Sequence, residues 1–113
     1  MPQVEPDVEA LFDALADPTR RRVVQVLSDG PRRAGELSRL AASSAPAMSR
    51  HLRILLQAGL VADERPAEDA RVRVFRLRAE PIAHLQGWLD QIQAHWDEQL
   101  HAFKRHVEGG PHR

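Results

Sequence analysis

Apolar residues recur at intervals of three and four along the first half of the chain, which is the spacing of one face of an α-helix. Val8, Leu11, Phe12 and Leu15 begin this pattern. Polar caps, prolines and glycines divide it into segments, because these residues favour helix ends and turns. The pattern predicts four helices, over residues 6–16, Pro18 to Leu27, Ala34 to Leu40 and residues 44–57.

After Gly59 the apolar pattern changes from the helical repeat to one typical of β-strands. Residues 60–65 and 71–77 are rich in β-forming residues, and the polar segment 66–70 joins them. We therefore expect a hairpin with a five-residue tip. A long final helix is then predicted over residues 81–107, where apolar residues follow helical spacing.

The order of these elements is α-α-α-α-β-β-α, which predicts a mainly α fold with a β-hairpin wing, the winged helix-turn-helix. The chain has 113 residues, of which 42% are hydrophobic, and this suits one compact domain. We expect a single domain over residues 1–113, with residues 108–113 as a flexible tail.

Composition narrows the classes of function. The chain contains no cysteine, which excludes disulfides and thiolate metal sites. It also lacks a Gly-x-Ser-x-Gly motif, a phosphate-binding glycine loop and a His-Glu-x-x-His motif, so we expect no enzyme, no catalytic residue and no cofactor. No apolar run is long enough to cross a membrane and the N-terminus does not resemble a signal peptide, so we expect a cytoplasmic protein.

Charge is distributed unevenly although the formal net charge is zero. Residues 1–17 carry five acidic and no basic side chains. Residues 18–57 carry eight arginines against Asp29 and Glu36, a net charge of +6. A basic block of this kind indicates an anionic partner, and phosphate is the commonest candidate. The alternative is an ordinary solvated surface.

The predicted helix 44–57 separates leucine from arginine. At 100° per residue, Met48, Leu52, Leu55 and Leu56 share one side, and the other side carries Pro46, Arg50, Arg53 and Gln57, with Ser49 at its edge. Arginine can bind guanine or clamp a phosphate, so this pattern predicts a helix that enters a DNA groove. For Arg71 and Arg73 on the second predicted strand we expect contacts to the DNA backbone or minor groove; the alternative is protection of a strand edge against aggregation.

The segments ALADPTRRRVVQVLSDGP, GELSRLAASSAPAMSRHLRILLQAGLV and RVRVFRL resemble the ArsR/SmtB family of winged-helix repressors over roughly residues 8 to 100. The resemblance implies a homodimer whose two fourth helices read an inverted repeat in double-stranded DNA, and repression by blocking a promoter. By matching position, it implies DNA-facing roles for Ser44, Pro46, Ala47, Ser49, Arg50 and His51. For His51 a half-buried structural role is an equal alternative.

The resemblance also implies that the first and last helices form the dimer. The residues expected in that interface are Leu11, Phe12, Leu85, Trp88, Leu89, Ile92, Trp96 and Phe103. An aromatic pocket for an organic effector is an alternative use of the tryptophans and Phe103. The effector itself is unknown from sequence.

A metal-responsive repressor is a second alternative. The cysteine pair that some family members carry on the third helix is absent here. A second family site joins Asp-x-His of one subunit to His-x-x-Glu of the other, and His84, His95 and Glu98 match that spacing, but Ile82 occupies the aspartate position. We therefore predict no metal site. A winged-helix module that binds an acidic protein, with no role in DNA binding, is the third alternative.

Overall fold

The computed structural model describes residues 7–109. In chain order, its elements are α1 (Val8–Leu15), α2 (Pro18–Leu27), β1 (Arg32–Arg33), α3 (Ala34–Leu40), α4 (Ala45–Gln57), β2 (Val61–Glu64), β3 (Val74–Leu77) and α5 (Ala79–Glu108). Every predicted helix and strand is present in the predicted order. The short strand β1 was missed, because two arginines carry no apolar alternation.

The described residues form two compact units that divide between Ile82 and Ala83. The first unit contains α1 to α4, the three strands and the first residues of α5. Its α4 packs on α2, α3 and β2. Its core consists of residues that are at most 8% exposed: Leu11, Ala14, Val23, Val26, Leu27, Leu37, Met48, Leu52, Leu55, Leu60, Val61 and Phe75.

Asp17 separates α1 from α2 and caps the second helix. Its Oδ1 accepts hydrogen bonds from the backbone N–H of Thr19 at 2.7 Å and of Arg20 at 3.2 Å. Pro18 takes the first helical position, where the missing N–H costs nothing. This pair of residues therefore sets the start of α2, as the sequence predicts.

The turn between α3 and α4 is closed by backbone hydrogen bonds. Ala42 has a left-handed conformation with φ of 52°. Its N–H donates to the Arg39 carbonyl at 3.3 Å, and the next N–H, of Ser43, donates to the Ser38 carbonyl at 2.9 Å. These two bonds form a Schellman motif, which ends α3 and turns the chain toward α4.

Both ends of α4 are defined by local chemistry. Ser44 Oγ accepts a hydrogen bond from the Ala47 N–H at 3.2 Å, so Ser44 caps the helix as predicted. At the other end Gly59 has φ of 80°, and its N–H and that of Leu60 donate to carbonyls of the last turn, each at 3.1 Å. The predicted helix stop at Gly59 is therefore confirmed.

The three strands form an antiparallel sheet in the order β1-β3-β2. Phe75 of β3 lies opposite Asp63 of β2 and Arg32 of β1. The strands are shorter than predicted, so the connecting loop covers residues 65–73. Turn hydrogen bonds from Asp69 N–H to the Pro66 carbonyl and from Val72 N–H to the Asp69 carbonyl hold this loop and keep residues 71–73 out of the ladder.

Helix α5 is 30 residues long, and residues 83–109 form the second unit. Leu85 is 7% exposed, whereas a series of larger apolar residues along the helix is 37–67% exposed: Trp88, Leu89, Ile92, Trp96, Leu100, Phe103 and Val107. Among the described residues, no helix is both long enough and apolar enough to span a membrane.

The predictions for the two ends of the chain have different outcomes: one is wrong at Glu108, and the others concern residues that the structure does not describe. Glu108 belongs to α5 and does not begin a flexible tail, because the helical hydrogen bonds continue to that residue. Residues 110–113 lie outside the described residues, as does residue 6 of the predicted first helix.

The cap at Asp17 gives a pH-dependent prediction. Burial raises the pKa of this carboxyl. The hydrogen bonds from the N–H groups of Arg20 and Thr19 and the charge of nearby His51 together lower it by more, so the pKa lies below its ordinary value of 3.8. We expect Asp17→Ala to lower the free energy of unfolding by about 1 kcal/mol at neutral pH. Asp17→Asn keeps a capping acceptor without the charge and serves as the control.

A group whose folded-state pKa is lowered stabilises the protein above its unfolded pKa and loses this contribution as pH falls through the folded value. The stability advantage of the wild type over Asp17→Asn should therefore shrink on acidification, measured by urea unfolding from about pH 7 to about pH 2. A difference that does not change with pH contradicts the role of the charge.

The left-handed residue in the turn before α4 gives a second prediction. Ala42 pays the steric cost of a positive φ, which glycine does not. We expect Ala42→Gly to raise the free energy of unfolding by about 1 kcal/mol, whereas Ala41→Gly, at a residue with φ of −99°, should lower it by about 0.5–1 kcal/mol. Thermal unfolding measures both. A loss of stability in Ala42→Gly contradicts this account of the turn.

Candidate nucleic-acid interface

Helix α4 has one buried and one exposed side. Met48, Leu52 and Leu55 are 1%, 3% and 0% exposed, and Leu56 is half-buried. The opposite side presents an exposed set: Pro46, Ser49, Arg50, Arg53 and Gln57. The predicted separation of leucine from arginine is therefore confirmed. Ile54 is 37% exposed.

The arginines of this exposed side have no competing partner. Among residues 7–109, neither the Arg50 nor the Arg53 side chain forms a hydrogen bond or ion pair. Both guanidinium groups therefore keep all five donors for an external acceptor. A guanidinium on a helix matches the paired acceptors of guanine and the oxygens of a phosphate.

The N-terminal end of α4 is exposed at Ser44, Ala45 and Pro46, and half-buried at Ala47. The N–H of Ala47 already donates to Ser44, and Pro46 has no N–H. The backbone therefore offers fewer donors to an external anion at this end than an average helix does. The exposed arginines therefore offer an external anion more donors than the helix end does.

His51 lies beside this surface, but it also contacts another helix. It is half-buried, and its Nδ1 lies 3.3 Å from Nη1 of Arg20 on α2. The contact joins residues 31 positions apart, so no local sequence pattern predicts it.

The two wing arginines lie in the loop 65–73, and their placement on a strand was wrong. Arg71 is held by Asp69, with Nε 3.1 Å from Oδ1 and the backbone N–H at the same distance from that oxygen. These bonds lower the pKa of Asp69. The side chain of Arg71 is nevertheless 92% exposed, so it is accessible to a ligand.

Arg73 is bound more closely to the sheet. Its Nε donates to Asp63 Oδ2 at 2.9 Å, and its guanidinium carbon lies 4.9 Å from the centre of the Phe75 ring. Asp63 offsets the charge of Arg73. We infer that Arg73 attracts an anion less strongly than Arg53 does, because part of its charge is already paired.

A groove brings residues of α4 and the sheet together. Ser49 and Arg53 line it from α4 and Arg73 from the last position of the loop 65–73, and its remaining lining residues are Ala34, Leu52, Leu56 and Phe75. Three of the residues predicted to face DNA, Ser49, Arg53 and Arg73, therefore line the same groove. Arg71 lies farther out, on the loop.

The residues expected in a dimer interface divide into two groups. Leu11 is 0% exposed and Leu85 is 7% exposed. Both are therefore buried within the single chain, and neither has appreciable surface for a partner to cover. The exposed group is Phe12, Trp88, Leu89, Ile92, Trp96 and Phe103. Leu100, which is 49% exposed on α5, belongs with them by its spacing and was missed.

The three side chains of the metal alternative all lie on α5. His84 and His95 are eleven positions apart, so about 16 Å of helix separates them at 1.5 Å per residue. One chain cannot bring both to a single ion. In the part of the chain that the structure describes, no group of three His, Asp or Glu residues is placed to hold a metal ion.

Comparison with known proteins identifies the fold and the family. Residues 15–64 match a family described as a helix-turn-helix domain. The HTH-type transcriptional regulator Rv2034 of Mycobacterium tuberculosis is 39% identical over 97 residues, which cover 86% of this chain and 85% of that protein.

Two solved structures are similar. An ArsR family transcriptional regulator, RHA00566, has a TM-score of 0.71 and 32% identity, covering 80% of this chain and 96% of that chain. The homodimeric winged helix-turn-helix DNA-binding domain Mb0332 of Mycobacterium bovis has a TM-score of 0.58 and 20% identity, covering 94% and 86%; this likeness concerns the fold alone. The chain belongs to the ArsR family of winged helix-turn-helix transcriptional regulators.

Proposed function

We propose that the chain is a homodimeric repressor that binds an inverted-repeat operator. In this proposal the exposed side of α4 enters the major groove, and the loop 65–73 contacts the DNA backbone. The proposal rests on the two sides of α4. Met48, Leu52 and Leu55 are buried on one side, and Arg50 and Arg53 are exposed on the other. Occupation of a promoter by the dimer would then block transcription.

The dimensions of α4 agree with this placement. Its 13 residues span about 20 Å, and the major groove, about 12 Å wide, admits an α-helix. Ser49 is short and exposed, so the helix backbone can approach the base edges there. Arg50 precedes Arg53 by three positions and lies on the same side of the helix.

Base contacts and backbone contacts are expected from different residues. Arg50 and Ser49 lie on the helix, where base edges are within reach, and Arg71 lies at the loop, where phosphates are the acceptors. We expect Arg50→Ala and Ser49→Ala to reduce the preference for a selected duplex over random duplex, by about 1–3 kcal/mol for Arg50→Ala. Arg71→Ala should weaken binding to both duplexes evenly and reduce the salt dependence by about one phosphate contact.

Fluorescence anisotropy with the two duplexes at several salt concentrations measures these effects. Arg22→Ala is the matched control, because Arg22 is exposed on α2 and its loss removes the same charge from a different helix. Equal losses of selected and random binding in the Arg50, Ser49 and Arg71 variants contradict the assigned roles. If the wild type prefers no duplex, the protein-binding alternative is favoured instead.

The dimer is proposed from the exposed apolar residues of α5. They repeat at intervals of three and four from Leu89 to Val107, and monomeric proteins rarely expose a continuous apolar surface of this kind. A second copy of the chain supplies an identical surface, as a two-fold interface requires. The family resemblance adds Phe12 on α1, which is 42% exposed, to the residues proposed for the dimer.

Trp96 tests this interface. It is 58% exposed in the single chain, so its removal should not disturb the protomer, and buried tryptophans are common energetic centres of interfaces. We expect Trp96→Ala to weaken dimerisation by about 3 kcal/mol. Gln93→Ala is the control, because Gln93 bonds Asp97 within its own helix at 2.9 Å.

Sedimentation equilibrium measures the dimer dissociation constant, and circular dichroism confirms that both variants keep their helix content. An unchanged dimer in Trp96→Ala contradicts the proposed interface. A weakened dimer in Gln93→Ala as well would mean that the apolar residues are not the specific determinant.

A further inference from the structure

Arg20 of α2 bonds two other elements of the first unit, α1 and α4, with its three guanidinium nitrogens. Its Nε donates to the Ala14 carbonyl at 2.6 Å, and Nη2 donates to the Asp13 carbonyl at 3.2 Å. These carbonyls lie in the last turn of α1. The remaining nitrogen, Nη1, lies 3.3 Å from Nδ1 of His51 on α4.

We propose that Arg20 is a positioning residue for DNA binding, which fixes α4 relative to the end of α1 through His51. The proposal rests on the proposed function, in which α4 enters the groove. The guanidinium is planar and rigid, so the three acceptors that it joins are held at fixed relative positions. A lysine has no such fork and cannot join all three.

The contact also determines which ring nitrogen of His51 carries the proton. Arginine offers only donors, so Nδ1 must accept with its lone pair. In the neutral ring the proton then resides on Nε2. Arg20 therefore selects the tautomer that leaves an N–H donor on Nε2, at a residue beside the exposed arginines of α4.

The backbone of Arg20 is held by the preceding motif. Asp17 accepts the N–H of Arg20 at 3.2 Å while it caps α2. The Asp-Pro-Thr-Arg segment thus starts α2 and directs its first arginine toward both α1 and α4. Asp17 and Arg20 are the charged groups whose interactions with His51 the structure records.

Arg21 provides a matched control on the same helix. Its Nη1 donates to the Leu15 carbonyl at 2.8 Å and to the Ala16 carbonyl at 3.1 Å. It therefore also stabilises the end of α1, but it does not contact His51. Arg20→Met and Arg21→Met each remove bonds to α1, and only Arg20→Met removes the bond to α4.

The test compares the two variants on the duplex that the wild-type chain enriches most strongly from a randomised pool. We expect Arg20→Met to raise the dissociation constant about tenfold and Arg21→Met about twofold or less. Arg20→Lys should raise the dissociation constant by an intermediate factor. If Arg20→Met does not fold, Arg20→Lys is compared with Arg21→Met in its place. The double variant Arg20→Met/His51→Ala should lose less binding free energy than the sum of the two single variants, because the two residues share one interaction.

Nitrogen-15 NMR of the ring of His51 in the full chain reads the contact directly. We expect an unprotonated Nδ1 and a protonated Nε2 in the wild type and in Arg21→Met, and a mixture of tautomers in Arg20→Met. Equal dissociation constants for the two methionine variants, or an unchanged tautomer in Arg20→Met, would overturn the inference. A wild-type chain that enriches no duplex instead contradicts the proposed function.

Discussion

Met48, Leu52 and Leu55 determine how α4 is rotated about its own axis. Burial of such a side chain contributes about 1.5–3 kcal/mol, and all three are at most 3% exposed. A rotation that hid Arg50 and Arg53 would expose these residues and bury two charges without partners, which is unfavourable on both counts. The exposed position of the arginines therefore follows from the packing of the opposite side of α4.

The position of α4 within the unit depends on the segments that precede it. The left-handed Ala42 closes the turn from α3, and Ser44 caps the next helix. On the α2 side, Arg20 contacts the carbonyls of α1 and the ring of His51. These are polar contacts of defined geometry around an apolar core, so the core supplies the stability and the polar contacts orient α4.

The helices were predictable from sequence because their ends are set by neighbouring residues. Asp17, Ser44 and Gly59 each act within four positions along the chain, and the pattern of leucine and arginine on α4 depends only on helical geometry. The wing was predicted less well, because the length of β3 depends on its pairing with β1 and on the turns of the loop. The pairing of Arg73 with Asp63 and of Arg20 with His51 joins distant positions, and no local pattern records such contacts.

Methylation interference on a bound duplex tests most directly whether α4 reads the major groove. Guanine N7 lies in the major groove and adenine N3 in the minor groove. We expect methylation of guanine N7 to block binding in two half-sites, about 10 base pairs apart or a multiple of that distance. Interference confined to adenine N3, or none at either groove, would contradict the account.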